Sequence, residues 1–300
     1  MLSSVLALFL GACSQDKQND VKESHGMKIV TSFYPVYAMV KAVSGELNDV
    51  RMIQSSSGIH SYEPSANDIA AIYDADVFVY HSHTLESWAG SLDPSLQKSK
   101  VKVLEASEGM TLDRVSGLED IKVGEGVDEK SLYDPHTWLD PEKVAEEAQI
   151  IADKLSELDS ENKEKYQSNA KKFIDQAHEL TNKYKPIFDK VEQRTFVTQH
   201  TAFSYLAKRF DLNQLGIAGI SPDQEPSPRQ LTEIQEFVKT YKVKTIFTES
   251  NASSKVAETL IKSTGVSLKT LNPLEADPQN DKSYLDNLEE DIAILAEELK

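Results

Sequence analysis

The sequence predicts an α/β protein with two (β/α)4 lobes, each built on a parallel sheet and joined by one long rigid helix. Short apolar runs typical of buried strands alternate with amphipathic helical segments from residue 27 onward. The alternation falls into two sets of four, and a continuous helical pattern at 160–190 separates the sets. Because strict alternation of strand and helix is the pattern of parallel, doubly wound sheets, each set predicts one such sheet.

Residues 1–26 indicate the remnant of a signal with a lipidation site, followed by a flexible tether. The run VLALFLGAC ends at Cys13, the only cysteine, and its last four residues resemble a bacterial lipobox, whose cysteine carries the lipid. The alternative is a chance cysteine after an ordinary signal peptide. No Lys or Arg precedes the apolar run, unlike in a normal signal, so we expect the true start to differ. The polar residues after Cys13 predict a tether, which implies an extracytoplasmic body anchored by lipid to the outer face of the cell membrane.

The first lobe is predicted at 27–159. Its strands are MKIVTSF, DVRMIQ, DVFVYH and VKVLEA, and the helices between them are YPVYAMVKAVSG, PSANDIAAIYDA and LESWAGSL. A fourth helix follows, for which Asp140 suits the N-cap, Pro141 the first helical position and Glu142 the positive end of the helix dipole. The acidic, Gly-containing segment 109–134 predicts a long surface loop before that helix.

The linking helix is predicted at 160–190. Its apolar residues recur every three or four positions and so share one face: Tyr166, Ala170, Phe173, Ala177, Leu180, Tyr184 and Ile187. A flexible hinge would contain clusters of Gly, Ser or Pro, whereas this segment has one Pro, Pro186, near its end. A helix of about 30 residues forms a rod of roughly 45 Å, so we expect a rigid connection between the lobes.

The second lobe is predicted at 191–300 and repeats the scheme. Its strands are RTFVTQH, LGIAGI, VKTIFTE and VSLKTLN. Its helices are AFSYLAKRF, PRQLTEIQEFVKTY, SKVAETLIKSTG and SYLDNLEEDIAILAEELK. Ser227 and Pro228 suit the cap and first turn of the second of these helices.

The stretch DPHTWLDP sets His136 between two Asp-Pro pairs just before a helix. This context predicts a tight loop in which side chains are held in place but are reachable by solvent. One interpretation is a histidine that only hydrogen-bonds its own loop. The other is a ligand, and it depends on what lies near His136 in the fold.

Three histidines and one glutamate occupy equivalent places in the predicted lobes. His60 follows the second strand and His136 the fourth strand of the first lobe, while His200 ends the first strand of the second lobe and Glu275 follows its fourth strand. Loops at the carboxyl ends of parallel strands share one edge of a sheet, so two facing edges would bring the four side chains into one cleft. Three imidazoles and one carboxylate form a complete tetrahedral shell for a borderline cation such as Zn²⁺. The alternative is unrelated surface histidines, because the spacings match no short metal motif.

Composition and motifs argue against several classes of protein. The net charge of −17, with no basic stripe, argues against nucleic-acid binding. After the first residues no apolar run approaches the ~20 residues of a membrane-spanning helix. A zinc hydrolase keeps one metal position open for water, whereas four protein ligands fill the shell, and the sequence has neither an HExxH motif nor a nucleophile elbow. The sequence therefore favours a carrier over an enzyme.

Several segments resemble the signature loops of a known family. HSYEPS, DPHTWLDP, TQHTAFSYLAKRF and IFTESNASSKVAETL look like those of the metal-binding receptors of bacterial ABC importers. The resemblance is to the cluster A-I group, in which a helical backbone links two (β/α)4 lobes, and it covers residues 27–300. Within that group the sequence resembles the Adc-type zinc-binding lipoproteins of Gram-positive cocci, also described as laminin-binding proteins.

The resemblance implies a ligand set and a cargo. The family's ligand positions fall on His60, His136, His200 and Glu275, which would bind one Zn²⁺ per chain. In manganese members of the family the third and fourth ligand positions are expected to be Glu and Asp. Here they are His200 and Glu275, a pair that favours zinc, with a manganese receptor as the alternative. Many zinc members carry a His-rich loop between the first two ligands, whereas this sequence has the acidic segment 109–134.

The resemblance also implies partners. The receptor, expected to be a monomer, would deliver zinc to an ABC permease driven by a cytoplasmic ATPase, and would exchange zinc with histidine-rich surface proteins. An adhesin that binds laminin is an alternative from a different class of protein. No residue of the sequence specifies such an interface.

Other ionisable side chains are weaker candidates. His81 and His83, after the third strand of the first lobe, could form an entry relay or support a ligand, but the sequence favours solvated loop histidines. Glu249 ends a strand at the ligand edge, where it could hydrogen-bond a ligand histidine or cap a helix. We interpret His25 in the tether and His178 on the linking helix as structural or incidental histidines.

Overall fold

The predicted fold class is confirmed. The computed structural model describes residues 26–53, 58–115, 132–222, 227–249 and 255–300. Within these ranges the chain forms two parallel sheets of four strands with helices packed on them. The lipidation site predicted at Cys13, the tether up to His25 and the middle of the acidic segment lie outside the described residues.

The first sheet has the strand order β2-β1-β3-β4, with all neighbours parallel. Its strands are β1 Lys28–Thr31, β2 Asp49–Met52, β3 Val77–Tyr80 and β4 Lys102–Glu105. The helices of this first lobe are α1 Tyr34–Ser44, α2 Ala66–Asp74, α3 Ser87–Leu96 and α4 Pro141–Leu158. Every residue of β3 is buried, as its sequence VFVY predicts for a central strand covered on both faces.

The second sheet repeats this topology with the order β6-β5-β7-β8, again all parallel. Its strands are β5 Thr195–Thr198, β6 Asn213–Gly216, β7 Thr245–Glu249 and β8 Ser267–Leu271. The helices of this second lobe are α6 Ser204–Arg209, α7 Pro228–Thr240, α8 Lys255–Thr264 and α9 Tyr284–Glu298. The carboxyl ends of the strands in both sheets therefore carry the loops that hold the predicted ligands.

Side-chain caps determine where the helices next to those loops begin. Asp140 accepts a hydrogen bond from the backbone N–H of Glu142 at 3.1 Å, and Pro141 is the first residue of α4, as predicted. Ser65 forms a capping box with Asp68 at the start of α2. Each cap therefore fixes the residue at which the loop that carries His60 or His136 ends and α2 or α4 begins.

The position predicted for the sixth strand is wrong. The run LGIAGI was expected to form it, but β6 covers Asn213–Gly216 and the chain then leaves the sheet. After Gly216 the backbone follows the loop that carries His200, since the N–H of Ile217 donates to Thr198 O at 2.9 Å and the N–H of Ala218 donates to Gln199 O at 2.8 Å. Gly216 also lies so close to Thr201 that a β-carbon would approach Thr201 Oγ1 to 2.2 Å. Close packing against the His200 loop thus replaces strand pairing.

The linking helix α5 covers Lys163–Phe188 and packs against α1 and α4 of the first lobe and α9 of the second. Its buried residues match the predicted apolar face, with Phe188 buried in place of Ile187: Tyr166, Ala170, Phe173, Ala177, Leu180, Tyr184 and Phe188. The largest apolar cluster contains residues of both lobes and of α5, so the two sheets share one continuous core. The lobe boundaries at 159 and 191 stay a prediction. Among the described helices, each is too short or too polar to cross a bilayer.

Candidate metal centre

The four predicted ligands lie together at the facing edges of the two sheets. His60, His136, His200 and Glu275 each offer one donor atom, and these atoms lie within 4.8 Å of one another. The Nε2 atom of His136 lies 3.2 Å from Nε2 of His60 and 3.3 Å from Nε2 of His200. Glu275 Oε1 lies 3.2 Å from the Nε2 atoms of both His60 and His200, and 3.9 Å from that of His136.

These separations fit a tetrahedral zinc site. Four donors at 2.0–2.2 Å from Zn²⁺, at tetrahedral angles, lie roughly 3.3–3.6 Å from one another. The five separations given above, 3.2–3.9 Å, bracket that range, and the sixth is at most 4.8 Å. The residues present therefore suit Zn²⁺ in both donor type and spacing, with three nitrogens and one carboxylate oxygen.

Two carboxylates determine which nitrogen of the buried imidazoles faces the centre. Asp134 Oδ1 accepts hydrogen bonds from the backbone N–H of His136 at 3.0 Å and from its Nδ1 at 2.7 Å. Glu249 Oε1 does the same for His200, at 3.1 and 2.6 Å. Because a carboxylate oxygen accepts, Nδ1 is the donor in both rings, which leaves each Nε2 facing the centre as the atom that would bind a cation.

The electrostatics of the centre favour a cation. Burial lowers the pKa of His136 below its usual value, although the carboxylate of Asp134 acts in the opposite direction. Burial also opposes protonation of His200, but hydrogen bonds to Glu249 and Glu275 outweigh it and raise the pKa of His200 to about 10. The pKa of Glu275 lies well below its usual value because hydrogen bonds from His200 and His60 outweigh the effect of burial. Without a metal a proton on His200 offsets these carboxylates, and a divalent cation at the centre would replace it.

The four side chains differ in their access to solvent. His136 and His200 are fully buried, whereas the side chains of His60 and Glu275 each remain 9% exposed. The expectation that His136 is reachable by solvent is therefore wrong. Its turn folds inward so that the imidazole packs against Trp138, with ring centroids 4.9 Å apart. A cavity of about 220 Å³ borders Glu275 and is otherwise lined by Phe33, Tyr34, Met52, Ile53, Ala276, Asp277 and Gln279.

The weaker candidates have different environments. His81 is fully buried, so the solvated interpretation is wrong for it: its Nε2 lies 2.8 Å from Thr137 Oγ1 and 3.3 Å from Glu147 Oε1, beneath the turn that follows His136. The chain turns inward there because Glu86, also buried, accepts hydrogen bonds from the backbone N–H of His81 at 3.1 Å. His83 is half-exposed and pairs with Glu105 at 2.8 Å.

His178 pairs with Glu142 at 2.8 Å on the exposed side of α5, outside the four-residue cluster. Glu249 lies against His200 through the two hydrogen bonds given above. His25 lies outside the described residues.

Sequence reasoning missed several residues that support the centre. Asp134 carried a usable signal, because an aspartate two residues before a loop histidine commonly bonds the backbone N–H of that residue. Trp138 and Tyr205 carried none: Trp138 Nε1 donates to Pro273 O at 2.8 Å, and Tyr205 Oη donates to Asp134 O at 2.9 Å. Both bonds join residues far apart in the sequence.

Comparison with known proteins supports the sequence-based assignment. The model of the ZnuA family, described as zinc-uptake complex component A, periplasmic, matches residues 29–298. The chain is 39% identical over 304 residues to the zinc-binding lipoprotein AdcA of Streptococcus pneumoniae, which matches all of this chain and 59% of the relative. It therefore spans about three-fifths of that relative's length. It is also 38% identical over 300 residues to the high-affinity zinc uptake system protein ZnuA of Bacillus subtilis, covering 97% of this chain and 94% of the relative.

Solved structures show the same fold. A Zn(II)-bound variant of AdcAII from Streptococcus pneumoniae superposes with a TM-score of 0.87 at 82% identity, covering 92% of this chain and 99% of that one. The laminin-binding protein Lmb of Streptococcus agalactiae superposes with a TM-score of 0.85 at 60% identity, covering 92% and 100%. The resemblance inferred from the signature loops is confirmed. The chain belongs to the ZnuA family of zinc-uptake proteins.

Proposed function

We propose that this protein is an extracytoplasmic receptor that binds one Zn²⁺ through His60, His136, His200 and Glu275 and delivers it to an ABC importer. The observation that carries the proposal is the convergence of four donor atoms from loops of both lobes, which all lie within 4.8 Å of one another, with five of the six separations at 3.2–3.9 Å. Two of the donors are fully buried imidazoles whose second nitrogen is held by a carboxylate, the usual support of a ligating histidine.

The donor set supports zinc over manganese. Three imidazoles and a single carboxylate form a borderline-soft shell, whereas Mn²⁺ prefers oxygen ligands. The AdcAII structure that resembles this chain is described as Zn(II)-bound, and the curated relatives are named zinc-binding or zinc-uptake proteins. A manganese receptor of the same family is the alternative that the metal analysis below would reveal.

A carrier fits the geometry better than a hydrolase. Four protein donors fill a tetrahedral shell, so no position remains for the water that a catalytic zinc activates. The relatives are likewise named as binding and uptake proteins rather than as enzymes. A zinc carrier must then pass its cargo on, and a permease with its ATPase is the partner that membership of an uptake complex supports.

The finer points of location and assembly are also proposals. A lipid on Cys13 would hold the receptor at the outer face of the membrane, and the curated relative AdcA is named a lipoprotein. We further propose that the receptor is a monomer and that it exchanges zinc with histidine-rich surface proteins.

Laminin binding is a second candidate function, supported by one observation. Lmb, which resembles this chain at 60% identity, is described as bifunctional, with adhesin and metal-transporting activity. We propose laminin binding here only as a secondary role. Binding of immobilised laminin by the zinc-loaded protein, compared with a zinc-free His200→Ala variant, would test it.

Metal analysis tests the main proposal. Protein purified without added metal and then exposed to equal concentrations of Zn²⁺ and Mn²⁺ should retain one zinc per chain. The His178→Ala variant, which alters a half-exposed histidine on α5, is the matched control and should do the same. Stoichiometric manganese, or no bound metal, would contradict the proposal. A strain in which the gene for this protein is deleted should need more zinc for growth. Expression of the parent sequence should restore growth at low zinc, whereas expression of the His136→Ala variant should not.

A further inference from the structure

The side chain of Tyr205 crosses from the second lobe to the first beside the metal centre. Tyr205 lies on α6, five residues after His200, and is only 3% exposed. Its hydroxyl donates a hydrogen bond to the backbone carbonyl of Asp134 at 2.9 Å and accepts one from the backbone N–H of Asp113 at 2.8 Å. The hydroxyl thus acts as donor to one chain segment of the first lobe and as acceptor from another.

Those two segments are paired with each other. The N–H of Asp134 donates to Asp113 O at 2.9 Å, the N–H of Val115 donates to Leu132 O at 2.9 Å, and Arg114 forms an antiparallel bridge with Tyr133. The hydroxyl of Tyr205 therefore binds the end of a short two-stranded ladder at the point where Asp134 leaves it. Asp134 is 2% exposed, so its backbone carbonyl depends on this hydroxyl rather than on bulk water.

The side chain of Asp134 in turn holds His136. Its Oδ1 atom accepts from both the backbone N–H and the Nδ1 atom of His136, at 3.0 and 2.7 Å. The carboxylate thus sets the rotation of the imidazole and the direction in which Nε2 points. A shift of the Asp134 backbone would turn the Nε2 lone pair away from the centre of the cluster.

The same face of α6 makes two more contacts with the first lobe. Arg209 binds Asp140 through two hydrogen bonds of 2.9 Å, and Lys208 pairs with Asp113 at 2.8 Å. Residues 205, 208 and 209 share one side of a helix because they are three and four positions apart. The Lys208 pair is exposed and contributes little, whereas the planar guanidinium of Arg209 fixes the cap of α4 on the far side of His136.

We propose that Tyr205 is a positioning residue for the metal: its hydroxyl fixes Asp134 and, through it, the imidazole of His136. Because α6 begins shortly after His200, the same hydroxyl ties the position of His136 in the first lobe to that of His200 in the second. This proposal rests on the proposed zinc site. Tyr205 touches no donor atom, so its effect must pass through Asp134.

Tyr205→Phe tests the proposal, with Tyr166→Phe as its matched control. Tyr166 is also buried, and its hydroxyl likewise accepts one hydrogen bond, from Asn48 at 3.0 Å, and donates one, to Asp159 at 2.8 Å, in contact with neither the ligands nor Asp134. We expect Tyr205→Phe to weaken Zn²⁺ binding about tenfold, the lower end of the effect of residues that orient ligands. We expect Tyr166→Phe to lower the thermal unfolding temperature to a similar extent but to leave zinc affinity within twofold of the parent.

Two further measurements separate positioning from a general loss of stability. The visible absorption of the protein loaded with Co²⁺ reports the geometry of the donors, and it should change in Tyr205→Phe but not in Tyr166→Phe. In the Asp134→Ala background the effect of Tyr205→Phe on zinc affinity should nearly disappear, because the side chain that connects the Asp134 backbone to His136 is absent. Parent-like affinity and cobalt spectrum in Tyr205→Phe, or a full tenfold loss in the Asp134→Ala background, would overturn the proposal. If the parent itself bound no zinc, the proposed function would fail instead.

Discussion

Trp138 and Pro273 join the two halves of the metal centre. The indole Nε1 of Trp138 donates a 2.8 Å hydrogen bond to the carbonyl oxygen of Pro273. Trp138 lies two residues after His136 and Pro273 two residues before Glu275, so one bond connects a ligand-bearing turn of the first lobe to a ligand-bearing loop of the second. The hydroxyl of Tyr284 donates to the carbonyl of Trp138 and holds the same turn from α9. Ligands from different lobes are therefore held in register by buried polar bonds as well as by α5.

Replacing Trp138 by Phe should weaken zinc binding about tenfold, because the aromatic packing is largely kept while the bond to Pro273 is lost. The unpaired carbonyl should also lower the free energy of unfolding by about 1–3 kcal/mol. Trp88→Phe is the control, since within the described residues the indole N–H of Trp88 has no hydrogen-bond partner. Isothermal titration with Zn²⁺ checks the effect, and equal affinities for the two variants would show that the Trp138 bond does not support the centre.

Single replacements of the ligands should differ in severity according to burial. His136→Ala and His200→Ala should reduce zinc affinity most, because their corners of the site are fully buried and admit a replacement water poorly. His60→Ala and Glu275→Ala should retain more affinity, since water can enter where those side chains are 9% exposed. The affinities can be measured by competition with a chromophoric chelator. Parent-like binding by His136→Ala would remove the proposed ligand set.

Zinc affinity should rise with pH through the neutral range. Hydrogen bonds to Glu249 and Glu275 raise the pKa of His200 to about 10 against the opposing effect of burial, so the metal-free protein keeps a proton there at pH 7 that zinc must displace. Burial lowers the pKa of His136 below the ordinary imidazole value of about 6.5, so His136 adds its own competition for protons at lower pH, where affinity should fall more steeply. Titrations in buffers of different ionisation enthalpy should detect at least one proton released per zinc at pH 7.5. A pH-independent affinity between about 5 and 8 would contradict this.

The raised pKa of His200 also makes the stability of the metal-free protein depend on pH. Because the folded pKa of His200 is raised, protonation of this group stabilises the fold fully below about pH 6.5, its ordinary pKa. That contribution is lost as pH rises towards 10. Zinc-loaded protein should lack this decline, since the proton is absent from the loaded site.

Asp291→Asn should stabilise the protein at neutral and alkaline pH. Burial raises the pKa of Asp291 to about 8, and its Oδ2 atom has no partner among the described residues. A raised carboxyl pKa means that stability declines as pH rises from about 4 to about 8, and the amide removes this decline. We expect a gain of about 1 kcal/mol or more at pH 8, because each pKa unit corresponds to about 1.4 kcal/mol.

Glu297→Gln, which removes an exposed carboxylate from the same helix, is the control and should leave stability nearly unchanged. Zinc affinity should also be unchanged in Asp291→Asn, since the amide oxygen can still accept the 2.9 Å bond from the N–H of Asn272. Thermal unfolding at pH 5 and pH 8 checks the prediction. Equal stability changes at the two pH values would show that Asp291 does not titrate in this range.

Metal binding should order the ligand loops and leave α5 unchanged. The buried face of α5 packs on helices of both lobes, so bending the helix would break backbone bonds and uncover apolar surface at a cost of several kcal/mol. Hydrogen exchange with and without Zn²⁺ should show increased protection around residues 60, 136, 200 and 275 and no change along 163–188. A clear change in overall dimensions by solution scattering on zinc binding would contradict a rigid connection.

The sequence by itself determined the features that are encoded within a few neighbouring residues. The period of apolar residues identified α5, because one helical turn repeats every 3.6 residues. The Asp140 and Ser227 caps predicted the starts of α4 and α7, since a cap depends only on the following turn. The clustering of His60, His136, His200 and Glu275 followed from parallel topology, which places the ends of all strands at one edge.

Only the tertiary structure decided which distant groups meet. Tyr205 and Asp134 are 71 residues apart, and Trp138 and Pro273 are 135 apart, so no local pattern pairs them. Burial of His81 likewise depends on Glu86 and on the turn after His136, which turns a loop histidine into a core residue. The physical reason is that a hydrogen-bond partner across two lobes is selected by how their cores pack, and packing is a property of the whole chain.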